Sequence, residues 1–446
     1  MQTLDWKNHI SQILRERQIH TVRVSLHDPS NIQRSRYVPV RYFLNQVMQG
    51  SISFPSALFS LDSSAELVPE AGDGHEGGYP SWILKPDLGT FGILPHVPGI
   101  ARVIADIYRP DGTPVRSSPR HVLRSVIEDF EQAGYRIYGA FEYEFYVFNQ
   151  SAQGLEPVWQ GLQCFSEVKQ ATVEDIISSV IFGLNEMGAG PEVANTEYGS
   201  GQFEVTNSPF WGLEIADMAF YYRSTIKEIL HNKGYTATFM SKPVAATSGS
   251  GAHVHHSLFN TDGVNLFYDP EAPDGLSQLC RWFIGGQMHH ARALCALSNP
   301  TVNSYKRLRP YTFAPTTITW GHEHRGAMIR VPQHRHEHTR LENRLPGSDT
   351  NPYITLAAML AAGLDGIRNH LEPPPPLTNQ DAYAPGFPLL PRSLPEALLA
   401  LEEDEWFMGT LGEEFIRHYL TVRRHEWARF ESAVTDWELT EYLGLY

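Results

Sequence analysis

Phe141-Glu142-Tyr143-Glu144-Phe145 is the stretch on which the reading of this chain turns. It lies in Tyr135 to Phe148, a run rich in aromatic and β-branched residues, and so reads as a strand. Strand side chains alternate between faces, so Glu142 and Glu144 point the same way. Two like charges on one face repel unless something positive sits between them. For the pair taken alone, an exposed strand face is the bland alternative.

Three further segments present acceptors in the same manner. In Asn195-Thr196-Glu197-Tyr198-Gly199-Ser200-Gly201-Gln202-Phe203-Glu204 the glycines permit a bend that would bring Glu197 and Glu204 to one spot. In Ser248 to Ser257 a Gly-Ser-Gly turn runs into a strand with His253 and His255 on one face, where a structural histidine is the alternative. In Arg340-Leu341-Glu342-Asn343-Arg344 two cations flank an anion on one strand face. That order suits a phosphate or carboxylate gripped by guanidiniums, or else a surface ion-pair ladder. Glu142, Glu144, Glu197, Glu204, Glu342 and His253 are too many acceptors to bury together without cations. If they converge, the oxygen-rich set with one imidazole suits two divalent metals, and Arg325 and Arg330 nearby suit phosphoryl transfer.

Taken in order, these segments resemble the glutamine synthetase superfamily. The resemblance covers nearly the whole chain and includes Asn303-Ser304-Tyr305-Lys306-Arg307-Leu308 and Asn351-Pro352-Tyr353. It implies an α+β fold: an N-terminal β-grasp domain over 1–112 and a catalytic domain over 113–446 with a curved antiparallel sheet. It also implies stacked rings, usually dodecamers, with active sites between neighbours. By matched motif, Glu144, Glu197 and Glu204 would hold one Mg²⁺ or Mn²⁺, and Glu142, His253 and Glu342 the other. Arg307 and Arg344 would bind glutamate, with Gly249 near its amino group. Arg325 would stabilise the transferring phosphoryl group, with Arg330 and Arg340 around the nucleotide phosphates. Glu192, His255 and Ser257 would contact ATP. The implied chemistry is attack of the glutamate γ-carboxylate on ATP, then displacement of phosphate from the γ-glutamyl phosphate by an amine.

The sequence departs from glutamine synthetases at the flap. Where they carry Gly-Tyr-Glu-Ala-Pro, this chain reads Tyr311-Thr312-Phe313-Ala314-Pro315. Phe313 cannot take a proton from ammonium but offers apolar area to a carbon substituent. The N-terminal ammonium motif reads Leu61-Asp62-Ser63-Ser64, which leaves Asp62 as the expected proton acceptor for an amine in a neighbouring subunit. Trp320 to Arg325 and Val434 to Glu438 look more like the γ-glutamyl-amine ligase branch, which uses putrescine, polyamines, monoamines or aniline. Trp159, Phe165 and Tyr311 are candidates for the amine pocket. The alternatives are an ammonia-using glutamine synthetase with an unusual flap and a non-catalytic homologue. Asp381-Ala382-Tyr383-Ala384 lacks the adenylylation motif, so no such control is expected.

Composition is consistent with this reading. With 446 residues, 42% hydrophobic and 19% charged, the chain can hold two domains and a sizeable core. A net charge of -15 disfavours nucleic acid. The cysteines, Cys164, Cys280 and Cys295, show neither metal spacing nor a disulfide framework, as expected of a cytoplasmic protein. Met1 to Gln18 is too polar for a signal peptide, and no apolar run is long enough to span a membrane. Helices are expected over Asp5–Arg17, Pro119–Ala133, from Asn351-Pro352 onward and over Leu411–Ala433, with a domain boundary at Asp111-Gly112-Thr113-Pro114 and a stiff linker at Pro373–Pro376. His334-Arg335-His336-Glu337-His338 reads as a solvated loop near the nucleotide mouth.

Overall fold

The computed structural model describes residues 6–48, 50, 52–72, 75–151, 154–161 and 163–446. Asp5, the first residue of the first expected helix, lies outside them. The alternating apolar residues Val22, Val24 and Leu26 build a first sheet from β1 (Thr21–His27), β2 (Gln33–Pro39), β3 (Ile52–Pro55), β4 (Ser81–Ile93) and β5 (Ile100–Tyr108). Its order is β2-β1-β5-β4-β3, with β1 and β5 parallel and the other pairs antiparallel. The helix Trp6–Glu16 sends Ile10 and Leu14, one turn apart, into the same small core.

The second sheet carries the site. Its strands are β6 (Arg136–Ser151), β7 (Gly154–Pro157), β8 (Pro191–Thr196), β9 (Gln202–Asn207), β10 (Phe210–Trp211), β11 (Tyr235–Thr238), β12 (Ala252–Phe259), β13 (Trp320–His322), β14 (Ile329–Val331) and β15 (Leu341–Asn343). The main path is β13-β14-β15-β12-β6-β9-β8. All its pairings are antiparallel except β13 with β14, a departure from the uniformly antiparallel sheet expected. β6 is long enough to pair with β12 along one part and with β9, β11 and β7 along others.

Helices back this sheet. Pro119–Gln132 begins at the expected proline. Pro352–Asn369 opens on Asn351, whose side chain accepts from the Tyr353 and Ile354 N–H groups, and it is buried from Pro352 to Gly366. The turn at Asp111 separates the two sheets in sequence, and Arg120 ties them together in space. Its guanidinium reaches Asp87 on β4 and Asp106 on β5, each at 2.7 Å, and Asp217 on the helix Glu214–Asn232 at 2.7 Å.

Candidate active site

Strand register brings the acceptors together. His253 on β12 lies opposite Glu142 on β6, and Glu144 on β6 lies opposite Glu204 on β9. Glu342 on β15 lies opposite His255 on β12. The β8–β9 turn is closed by Glu197 N–H donating to the Gln202 carbonyl, and it delivers Glu197 to the same end of the sheet. His253 Nδ1 is 3.0 Å from a Glu142 oxygen and 3.5 Å from a Glu342 oxygen. Ligand atoms of Glu142, His253 and Glu342 lie within 4.8 Å of one another, as do those of Glu144, Glu204 and His253. The first set is the one expected for the second metal. In the second, His253 stands where Glu197 was expected. Glu197 sits at the edge instead, its oxygens bonded by Asn195 Nδ2 at 2.9 Å and Cys164 Sγ at 3.8 Å.

Electrostatics divide the cluster in two. Burial, reinforced by the Glu197 charge, raises Glu144 to about 7. Burial and the charges of Glu142, Glu144 and Glu197 hold Glu204 well above the usual range. On the other side burial also opposes ionisation, but hydrogen bonds from His253 and His255 hold Glu142 well below its usual value. Arg344, His255 and His253 likewise outweigh burial and bring Glu342 down to about 2. Burial and Arg344 lower His253 to about 4, which keeps the imidazole neutral, the form that ligates metals. Carboxylates crowded until they resist ionisation are the mark of a site completed by cations. The donor chemistry therefore fits Mg²⁺ or Mn²⁺.

Arginines surround the anionic floor. Glu342 is clamped by Arg344 and by Arg330 Nη1 at 2.5 Å, and Arg330 also reaches Glu323 at 2.7 Å. Arg307 is buried and donates to the Arg344 and Leu345 carbonyls. The glycines of the Gly-Ser-Gly turn make this packing possible. A Cβ on Gly249 would meet Arg307 Cγ at 2.6 Å, and one on Gly251 would meet His253 Nε2 at 2.6 Å. Arg325 is exposed, and its carbonyl accepts from Arg344 Nε at 3.0 Å.

Beside this floor a cavity of about 560 Å³ opens onto Glu142. Glu192, His255, Ser257 and Arg340 line it together, with His334 and His338 at its edge. Arg340 Nε donates to His255 Nδ1 at 3.2 Å, and Ser257 Oγ donates to the Thr339 carbonyl at 2.7 Å. Cationic and hydroxyl groups converging beside a metal-fitting carboxylate suit a nucleotide polyphosphate. Arg330 is directed to Glu342 and Glu323 and does not line the cavity.

Residues 116–442 match the model of the glutamine synthetase catalytic domain. The chain belongs to the glutamine synthetase family. It is 35% identical to a glutamate–isopropylamine ligase from a Pseudomonas species, over 98% of this chain and 97% of that protein. It is 42% identical to a glutamine synthetase of Thermotoga maritima, over 81% of this chain and 85% of that one. A solved GmaS–ADP complex superposes with a TM-score of 0.87 at 31% identity, covering 97% of this chain and 99% of the other. As a member of this family the chain is an ATP-dependent ligase.

Four residues expected at the amine site lie in different surroundings. Asp62 is fully buried: one oxygen accepts from Ser64 N, Ser64 Oγ and Glu66 N, each at 2.9 Å, and the other pairs with Arg429 and lies 3.3 Å from His425. Both oxygens have partners within the chain, which makes Asp62 a structural bolt between its own turn and the C-terminal helix Glu413–Ser432. Trp159 packs edge-on against Phe203 in the core, with ring centroids 4.8 Å apart. Tyr311 is exposed, and its hydroxyl donates to Asp381 at 3.1 Å. Phe313 is also exposed, and its ring lies 5.5 Å from that of Tyr198.

Sequence reasoning assigned no role to Gln202, whose amide donates to Glu144 at 3.3 Å, the Gly249 carbonyl at 3.1 Å and Ser250 Oγ at 3.2 Å. Its place in the Gly-Gln-x-Glu segment was the available signal. Cys164, a lone cysteine, gave none. Burial and the Glu197 charge push its thiol up to about 12, so it stays protonated.

Proposed function

We propose that this enzyme joins the γ-carboxylate of glutamate to a small substituted amine, using ATP and giving a γ-glutamylamide, ADP and phosphate. The observation that carries the choice of amine is Phe313. An aromatic ring on the flap, packed against a second ring beside the carboxylate cluster, offers an amine apolar surface and no base. The likeness to the isopropylamine ligase and to GmaS, a γ-glutamylmethylamide synthetase, supports the same reading.

In this reading Glu142, Glu144, Glu197, Glu204, His253 and Glu342 hold two divalent metals, Mg²⁺ or Mn²⁺. Bound there, the metals would neutralise phosphoryl charge. Glu192, His255, Ser257 and Arg340 hold ATP in the 560 Å³ cavity. Arg307 and Arg344 fix the glutamate carboxylates, with Gly249 near the amino group. Arg325, exposed, stabilises the transferring phosphoryl group, with Arg330 and Arg340 around the nucleotide phosphates. The N-terminal unit spans 1–112 and the catalytic unit 113–446. The enzyme works in the cytoplasm as a ring-stacked oligomer, a dodecamer, the state that the family resemblance implies.

A second reading, use of ammonia, is favoured by the 42% identity to the Thermotoga glutamine synthetase. Incubation with ATP, Mg²⁺, glutamate and single amines, with products identified by mass, separates the two. The panel is ammonia, methylamine, isopropylamine, ethanolamine, putrescine, spermidine and aniline. A γ-glutamyl adduct of a substituted amine with little glutamine is the expected result. Glutamine as the main product would reverse the assignment.

A further inference from the structure

Phe313 does not stand alone at the outer edge of the carboxylate cluster. Its backbone sits in the left-handed region at φ 59°, which for a bulky residue costs on the order of 1 kcal/mol and needs outside support. Arg344 Nη2 donates to the Phe313 carbonyl at 3.4 Å, and the Tyr383 hydroxyl donates to the next carbonyl, that of Ala314, at 3.2 Å. The strained turn aims the ring at Tyr198, 5.5 Å away with the planes tilted by 33°. Tyr198 directly follows Glu197. Both rings are about half exposed, 48% for Phe313 and 46% for Tyr198, although aromatic rings are favoured inside.

The third member comes from another segment. Phe165 N–H donates to the Thr196 carbonyl at 3.0 Å and so pins its loop alongside Thr196-Glu197-Tyr198. That contact places the half-buried Cys164 against Glu197, with Sγ donating to Oε2 at 3.8 Å. Two ring faces and a small thiol thus border the carboxylate edge, and none of the three carries a charge.

We infer that Tyr198, Phe313 and Cys164 form the wall that selects the amine, and that the wall takes a monoamine with a compact hydrocarbon group, branched alkyl or aryl. The inference rests on the ligase reading above. The two rings give the hydrocarbon a face on which to lie. The thiol, smaller than any aromatic or branched side chain, leaves the room a branched group needs. The far ammonium of a diamine would meet no carboxylate from these three residues and would lose hydration without compensation.

The test measures Michaelis constants of the purified full-length enzyme for isopropylamine, aniline, methylamine, putrescine, ammonia and glutamate. Tyr198→Ala should raise KM for isopropylamine and aniline roughly tenfold while moving that for glutamate less than about twofold, the size expected for removing one apolar contact. Tyr198→Phe, which keeps the ring, should behave like the parent. Cys164→Phe, which fills the space, should cut kcat/KM for isopropylamine relative to methylamine by roughly tenfold. If the parent makes γ-glutamyl alkylamides and Tyr198→Ala leaves every amine KM unchanged, the wall is wrong and the ligase reading stands. Preference for putrescine would likewise overturn the wall alone. Glutamine as sole product would overturn both.

Discussion

At position 313 the chemistry of the acceptor depends on a single side chain. A carboxylate there could take the proton that ammonium must lose, and a positioned base contributes roughly 10²- to 10⁴-fold to such a step. Phe313→Glu should therefore raise kcat/KM with ammonia by at least about tenfold. Unchanged ammonia turnover in a folded variant would mean that the flap does not reach the nucleophile. Asp62 supports a prediction of a different kind. Burial disfavours its charge, but bonds from Ser64, Glu66 and Arg429 outweigh that, so its folded pKa lies below the ordinary 3.8. The stability it contributes is complete above the unfolded value and is lost as pH falls through the folded one. Asp62→Asn should lower stability by about 1–3 kcal/mol near neutral pH and flatten the acid limb of a Tm-versus-pH curve below pH 4. A parent-like acid limb would remove the bolt. The surroundings of Asp62 were not legible in the sequence, because its partners Arg429 and His425 are more than 350 residues away and leave no local pattern. The contact of Trp159 with Phe203 was hidden for the same reason: a ring that packs on another ring looks, in sequence, like a ring that faces a substrate. The shared faces of Glu142 with Glu144 and of His253 with His255 were legible because strand periodicity fixes faces locally, before any tertiary contact is known.

At the scale of elements, three adjacent strands do the positioning. β15, β12 and β6 pair Glu342 with His255 and Glu142 with His253 through main-chain register, so none of these orientations is left to a free loop. The tolerance is narrowest where the Gly-Ser-Gly turn enters β12. Gly251 N–H donates to Glu144 at 2.8 Å, while its missing Cβ leaves room for His253 and Arg307 Nη2. Gly251→Ala should push the His253 ring off its place, since the ring is the end that can move. The expected result is a roughly tenfold or greater rise in the Mg²⁺ or Mn²⁺ concentration needed for half-maximal ADP formation, the cost typical of disturbing a ligand's setting. Thermal stability without metal should change little. A parent-like metal dependence would show that His253 does not ligate. The parallel pairing of β13 and β14 was not legible, because three-residue strands carry too little alternation to give direction.

At the scale of the molecule, the two sheets and the C-terminal tail meet different needs. Arg120 holds Asp87, Asp106 and Asp217 at once, so the small N-terminal sheet is joined to the catalytic helices by a buried charged hub as well as by apolar contact. The tail has no such tie. The helix Asp436–Tyr442 opens with a complete capping box between Thr435 and Glu438, yet it buries none of its residues. Val434, Trp437, Leu439, Tyr442, Leu443, Leu445 and Tyr446 are all exposed in the single chain. A helix of two turns is not stable in water on capping alone, and a contiguous apolar surface of this kind marks an interaction site. Its partner is best taken as a second copy, since ring-stacked assembly is the proposed state. Removing residues 434–446 deletes no buried side chain of the helix, so the truncated chain should keep its secondary structure and its glutamate and ATP contacts. The particle mass in solution, measured by light scattering at matched concentration, should fall by at least half. A truncated enzyme with the parent's mass would show that the tail serves something other than assembly.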